Sequence, residues 1–146
     1  MEQEVIQFHC ADISYTLRNK NLVRKWISKV CIAHGYTIDQ LSFVFCSDDY
    51  LLEINRHFLQ HDYYTDIITF DNSSNKRLNV EAYISIDRVR DNAKELKLKS
   101  SEELHRVMIH GVLHALGYKD KSNKDINRMR EAENHALQQW SALIDV

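Results

Sequence analysis

The chain has 146 residues, a net charge of −2, 44% hydrophobic and 27% charged residues, which is ordinary for one soluble globular domain spanning residues 1–146. No apolar run approaches the roughly 20 residues that a membrane-spanning helix needs. The net charge gives the chain none of the overall basic character that indicates a nucleic-acid-binding protein. A first strand is predicted at residues 5–9. A helix is predicted at residues 18–34, where apolar residues recur at helical spacing before Gly35.

The rest of the chain alternates between strand and helix patterns. Further strands are predicted at residues 41–45, 65–70 and 81–86, the last two as antiparallel neighbours. Further helices are predicted after Ser47 and at residues 87–96, 101–116 and 123–143. Ser47 is expected to cap its helix, and Ser100 with Glu103 forms a capping-box pattern. Interleaved helices and strands predict an α/β sandwich with a small mixed sheet.

Three cysteines, Cys10, Cys31 and Cys46, are odd in number and widely spaced. They predict free buried thiols in a reducing compartment instead of disulfides or a zinc knuckle. Residues 1–4 are acidic and lack the basic-then-apolar pattern of a secretory signal. A cytoplasmic location is therefore expected.

The segment most informative about function is residues 110–120, which reads HGVLHALGYKD. His110 and His114 are four residues apart, so on a helix both imidazoles lie on one face. Gly117 can end that helix in a left-handed turn and return Asp120 towards it. Histidine pairs at this spacing also occur by chance, but a largely apolar helix favours a bound ion because buried polar groups need partners. Three protein ligands are typical of catalytic zinc, which keeps a fourth position for water.

A zinc protease is a weaker interpretation of the same stretch. In the motif His-Glu-x-x-His the glutamate acts as the general base, and here that position is Gly111. Gly111 fits better as a site where the helix backbone packs closely against another element.

The same stretch resembles the signature of the bacterial YbeY-type metallo-endoribonucleases, His-Gly-x-Leu-His-x-x-Gly-Tyr-Asp-His, whose three histidines bind one zinc. His110 and His114 match the first two ligands, and the third falls on Asp120, so the usual three-histidine set is not kept. Aspartate is an acceptable zinc ligand, although its charge should make the ion a weaker Lewis acid. Carboxylates also suit harder ions such as manganese.

The resemblance extends from about residue 40 to residue 121. Residues 52–55 and 62–70 are similar to the family segment Leu-Asn-x-x-Tyr-Arg-x-x-Asp-x-Pro-Thr-Asp-Val-Leu-Ser-Phe. Residues 81–87 are similar to the family strand Gly-Asp-Ile-x-Ile-Ser, with Glu81 in the aspartate position. The family arginine to which a catalytic role is ascribed falls on Leu59. Arg56, one helical turn earlier, is the candidate to replace it.

The resemblance implies a four-stranded sheet covered by helices, with the metal in a cleft at the His110–His114 helix. It implies a single-strand-specific endoribonuclease using one zinc ion, with His110, His114 and Asp120 as catalytic residues. Arg56 is added to these as the candidate replacement for the family arginine. The resemblance also implies action on ribosomal RNA and the small subunit, in 16S rRNA 3′-end maturation and ribosome quality control.

Two other functions stay open. One is a metal-dependent hydrolase of another substrate, such as a phosphate ester or an amide. The other is a non-catalytic ribosome-binding module with a structural metal, although structural zinc normally has four protein ligands and this stretch offers three.

Several further residues are candidates for supporting roles. Asn55 and Asp66 lie on the matched segments, and Asp66 or Glu81 could accept the second N–H of a metal-bound histidine. His57 and His61 are expected at the surface. Basic groups at residues 18–29 and 88–99 could contact phosphates, although a solvated helix face is the commoner role of such groups.

Overall fold

The computed structural model describes residues 5–145, which form one four-stranded sheet and five helices. The strands are β1 (Ile6–Cys10), β2 (Thr37–Cys46), β3 (Ile67–Asp71) and β4 (Arg77–Ser85). The helices are α1 (Lys20–Ala33), α2 (Asp48–Leu59), α3 (Ile86–Leu96), α4 (Ser100–Ala115) and α5 (Asn123–Ile144). The α/β class, the four strands and the five helices are confirmed. Residues 1–4, used above to argue against a secretory signal, lie outside the described residues.

The sheet is mixed, with strand order β1-β2-β4-β3. Strands β1, β2 and β4 are parallel, whereas β3 runs antiparallel to β4 at the edge, as predicted for that pair. Both β2 and β4 begin four residues earlier than the sequence pattern indicates, at Thr37 and Arg77, which are paired with each other. In β2 the extension is mostly polar, which hides it from a search for apolar residues. In β4 the extension alternates, with Leu78 and Val80 buried, so that pattern could have been predicted as strand.

The sheet has a thick helical layer on one face and α2 on the other. The larger core joins the sheet to α1, α4 and α5, and the fully buried Trp26 donates its indole N–H to the carbonyl oxygen of Ala136 at 2.7 Å. On the opposite face, Leu51 of α2 packs with Ile68 of β3. Successive residues of β3 therefore face different layers, as the period of a strand requires.

The helix ends agree only in part with the sequence prediction. Gly35 and Gly117 take left-handed φ angles of +80° and +108°, as expected of residues that end helices. The capping box predicted at Ser100 and Glu103 is wrong, because Lys99 occupies the N-cap of α4 and makes no side-chain cap bond. Glu103 is instead 5% exposed and belongs to the interior.

A capping box does form at the start of α5, between Ser122 and Asp125. Of the three free cysteines, Cys31 and Cys46 are buried as predicted, but Cys10 is exposed on the edge strand β1. Within residues 5–145, none of the helices is both long and apolar enough to cross a membrane.

Candidate metal centre

Helix α4 presents His110 and His114 on one face, with ring centroids 4.7 Å apart. The helix lies against the edge strand β3 at Gly111, which has no side chain to separate them. A Cβ added at Gly111 would lie 2.7 Å from Cδ1 of Ile67 and 3.2 Å from Cγ2 of Thr69. The close packing predicted for Gly111 is therefore confirmed, and it places both imidazoles beside β3.

Asp120 returns to the helix after the left-handed turn at Gly117. Its Oδ2 lies 3.2 Å from Nε2 of His114. One ligand atom from each of His110, His114 and Asp120 can be chosen so that all lie within 4.8 Å of one another. These three residues, called the metal-ligand group below, could hold a metal ion.

The donor set and its spacing fit a divalent transition ion. Ligand atoms about 2.1 Å from a tetrahedral zinc ion are about 3.4 Å apart, so the contact between His114 and Asp120 already matches. The ligand atom of His110 lies within 4.8 Å of the other two and has to move only slightly closer to them. Two imidazoles and one carboxylate suit zinc, with manganese as the harder alternative.

Glu133 of α5 orients the first ligand. Its Oε2 lies 2.6 Å from Nδ1 of His110, and its Oε1 accepts from Nη1 of Arg106 at 2.8 Å. An ionised carboxylate can only accept, so Nδ1 carries the donated proton and Nε2 of His110 is free for an ion. Glu133 is 5% exposed, so its carboxylate is shielded from water. It is the carboxylate–histidine pair expected behind a metal ligand.

The charges of this pair reinforce each other in the metal-free protein. Burial opposes ionisation of Glu133, but hydrogen bonds from His110 and Arg106 outweigh it and lower the pKa of the carboxyl below its ordinary value. The hydrogen bond to Glu133 in turn raises the pKa of His110, against the effect of burial.

Sequence reasoning missed Glu133, which follows His110 by 23 positions. One signal could have found it. Glu133 lies in the apolar stripe of α5 between the buried residues Met129, Ala136 and Trp140. A carboxylate at such a position needs a partner.

The two carboxylates that the sequence suggested for this role lie elsewhere. The prediction for Glu81 is wrong, because its Oε1 accepts from the hydroxyl of Tyr83 at 2.5 Å and it lines a separate cavity. Asp66 does line the same cleft as the metal-ligand group, and burial raises its pKa while nearby His110 opposes the rise. Its Oδ2 is 3.5 Å from Nδ2 of Asn92, at the outer limit of a hydrogen bond.

The metal-ligand group opens into a cleft of about 590 Å³. Its walls are β3, α4, the end of α2 and the segment at residues 60–66. The predicted cleft at the His110–His114 helix is therefore present. Leu59, where the family pattern has arginine, lines it.

Arg56 lies outside the wall of this cleft. Its guanidinium is paired with Asp62 at 2.6 Å and with Glu53 at 2.8 Å. The catalytic role of Arg56 stays a prediction. His61 is exposed, as expected, but it also lines the cleft, which the sequence analysis did not anticipate.

Within residues 5–145, the residues that line the cleft include Asp66, Asp71 and Asp120 but no lysine or arginine. The basic groups at residues 18–29 and 88–99 thus lie elsewhere. A bound ion would therefore add positive charge to a lining whose cationic groups can only be histidines.

Comparison with known proteins identifies the family of the chain. The family model described as Endoribonuclease YbeY matches residues 5–141. Endoribonuclease YbeY of Porphyromonas gingivalis is 48% identical over 132 residues, which cover 90% of this chain and 87% of that protein. Its counterpart in Cytophaga hutchinsonii is 48% identical over 138 residues, covering 94% and 96% of the two chains.

A solved structure adds support for the fold alone. The solution structure of TM1509 from Thermotoga maritima superposes with a TM-score of 0.60 at 20% identity, covering 94% of this chain and 92% of the other. The match of the family model to nearly the whole chain, with two relatives close to half identical, has one meaning: the chain belongs to the YbeY endoribonuclease family.

Proposed function

We propose that the protein is a single-strand-specific endoribonuclease that depends on one divalent metal ion, with zinc as the first choice. The observation that carries the proposal is the convergence of His110, His114 and Asp120 in an open cleft of a member of an endoribonuclease family. Three ligands leave room for water and substrate, whereas a structural zinc site is normally closed by four.

In this proposal His110, His114 and Asp120 hold the ion. A bound ion would supply a Lewis acid that lowers the pKa of water and offsets negative charge on a phosphodiester oxygen. Glu133 fixes the ring of His110 with Nε2 towards the centre, and Arg106 holds Glu133 in turn. Gly111 lets β3 form one wall of the cleft beside the ligands.

Arg56 is proposed as a cationic contact for the substrate backbone, in place of the arginine that Leu59 replaces. Its present partners are both carboxylates, so it would exchange Asp62 or Glu53 for a phosphate. The test is Arg56→Gln with Arg77→Gln as a control, since Arg77 is an exposed arginine paired with Asp39. The proposal expects slower RNA cleavage in the first variant only, and equal rates would contradict it.

The biological setting follows from the family resemblance. We propose ribosomal RNA as the substrate, the ribosomal small subunit as the partner, and 16S rRNA 3′-end maturation and ribosome quality control as the processes, in the cytoplasm. Two buried free thiols, Cys31 and Cys46, are consistent with a reducing compartment.

The experiment that tests the proposal compares labelled single-stranded RNA with its duplex form as substrate. The proteins are the zinc-loaded wild type, His114→Ala and the control His135→Ala, which changes an exposed histidine on α5. The proposal expects single-strand cleavage that is lost in His114→Ala and kept in His135→Ala.

Each other outcome favours one alternative. No cleavage by the wild type, with zinc confirmed in the protein, would contradict the proposal and favour a ribosome-binding module. Turnover of a small phosphate ester or an amide, without preference for single-stranded RNA, would favour a hydrolase of another substrate.

A further inference from the structure

One rim of the cleft carries a stacked pair of exposed rings. Tyr63 is 56% exposed, and its ring lies on that of His61 with centroids 5.1 Å apart and planes inclined by 20°. The Tyr63 hydroxyl is 3.0 Å from Nδ1 of His61. Both residues line the same cleft as the metal-ligand group. A large aromatic face is therefore open to solvent beside the candidate metal centre.

The main chain that bears these rings is fixed from below. Asn55, at 1% exposed, donates from Nδ2 to the carbonyl oxygen of Tyr63 at 2.9 Å. The carbonyl oxygen of Asn55 accepts from the N–H of His61 at 3.0 Å. Between them, Gln60 takes a left-handed φ of 55° and ends α2. The ring pair is thus attached to the end of a helix, and little ordering is needed before it binds something.

The charge of the cleft limits what can hold a nucleic acid strand there. Among the described residues that line it, three are aspartates and none is a lysine or arginine. Contacts between basic side chains and phosphates usually supply much of the affinity for nucleic acids. In this cleft another source of affinity is needed in addition to the ion and to Arg56, which lies outside the lining.

Aromatic rings supply such a source. Unpaired bases stack on aromatic side chains whatever their sequence, whereas bases inside a duplex have no free face to offer. We propose that Tyr63, supported by His61, is a stacking platform for an unpaired nucleobase of single-stranded RNA next to the metal-ligand group. The platform favours single strands over duplexes, and Asn55 is a positioning residue that holds it. This inference rests on the proposed function.

The test uses Tyr63→Leu, which removes the ring, and Tyr63→Phe, which keeps it. The matched control is Tyr64→Leu, since Tyr64 is the next residue, is 50% exposed, and donates its hydroxyl to Asp49 outside the cleft lining. Zinc-loaded proteins are titrated into labelled single-stranded RNA with phosphorothioate linkages, which slow cleavage, and binding is followed by fluorescence anisotropy. A second series of the same RNA carries one abasic position, moved along the strand.

Loss of one stacked base weakens binding roughly 5- to 150-fold. We expect a loss in this range for Tyr63→Leu, with Tyr63→Phe and Tyr64→Leu close to the wild type. One abasic position should weaken binding to the wild type but not to Tyr63→Leu, because that base has lost its partner already. In cleavage of unmodified RNA, Tyr63→Leu should raise KM and leave kcat nearly unchanged.

Failure of the platform and failure of the proposed function look different. If the wild type cleaves RNA and Tyr63→Leu binds every strand equally well, the platform is overturned and the nuclease stands. If the wild type neither binds nor cleaves single-stranded RNA, both are overturned. Because Tyr63 is exposed, thermal unfolding of Tyr63→Leu should match the wild type, so weak binding cannot be ascribed to misfolding.

Discussion

Replacing Glu133 by glutamine tests whether this carboxylate orients His110 for metal binding. The change keeps the size of the side chain but substitutes an N–H₂ group for one acceptor oxygen. Glu133 accepts on both oxygens, from His110 at 2.6 Å and from Arg106 at 2.8 Å. Arginine can only donate, so the single amide oxygen goes to Arg106 and the amide N–H₂ meets Nδ1 of His110.

That encounter changes the tautomer of His110. With Nδ1 forced to accept, the ring proton moves to Nε2, which is the nitrogen otherwise free for the ion. Metal binding then requires the imidazole to give up its hydrogen bond or its proton. Loss of such an outer partner typically costs 10- to 100-fold in metal affinity, or about 1.4 to 2.7 kcal/mol. Burial of Glu133 to 5% exposure places the effect at the upper end of that range.

The measurement is competition of metal-free protein with a chromogenic chelator for zinc at pH 7.5. Glu131→Gln is the control, since it makes the same charge change at an exposed position of α5, two residues away. We expect weaker zinc binding in Glu133→Gln and an unchanged affinity in Glu131→Gln. Equal affinities of wild type and Glu133→Gln would refute the positioning role, provided that both remain folded by circular dichroism.

Three further predictions concern metal content and stability. Asp120→Ala should lower zinc affinity by more than the roughly 10- to 100-fold that loss of an outer partner costs, whereas Asp120→His should keep zinc bound. Metal analysis of the purified proteins checks both. Full zinc content in Asp120→Ala would show that Asp120 is not the third ligand. Burial raises the pKa of Glu103 although a hydrogen bond with Asn92 opposes the rise, and Oε1 of Glu103 has no hydrogen-bond partner. As the pH rises from 4 to 7.5, Glu103 ionises at a cost in the folded state, so the wild type should lose free energy of unfolding in urea relative to Glu103→Gln. Parallel pH profiles of the two proteins would contradict this. Burial against Trp26 and Trp140 lowers the pKa of His105 from 6.5 to about 4. As the pH falls, His105 is therefore protonated in the unfolded chain before it is protonated in the folded protein. Between pH 7 and 4.5 the metal-free wild type should lose about 2–3 kcal/mol more stability than His105→Phe, and equal losses would show that His105 is not buried in this way.

The sequence by itself determined the local framework of the site. Spacing of four residues is enough to put His110 and His114 on one helix face, because the period of the α-helix is fixed. Gly117 marks the end of that helix because its left-handed φ suits glycine best. The chain reverses there and Asp120 is near in sequence, so its return could also be predicted. All three relations are local, and local geometry follows from residue type.

Only the tertiary structure decided which distant groups complete the site. Glu133 reaches His110 because α5 packs beside α4, and no spacing rule connects the two positions. Glu81 was favoured by its place in a motif, yet its side chain turns to Tyr83 on the same strand. The stacked rings of His61 and Tyr63 depend on the turn that follows α2 and on one buried asparagine. Contacts of this kind arise from the packing of whole elements, which a local sequence pattern does not determine.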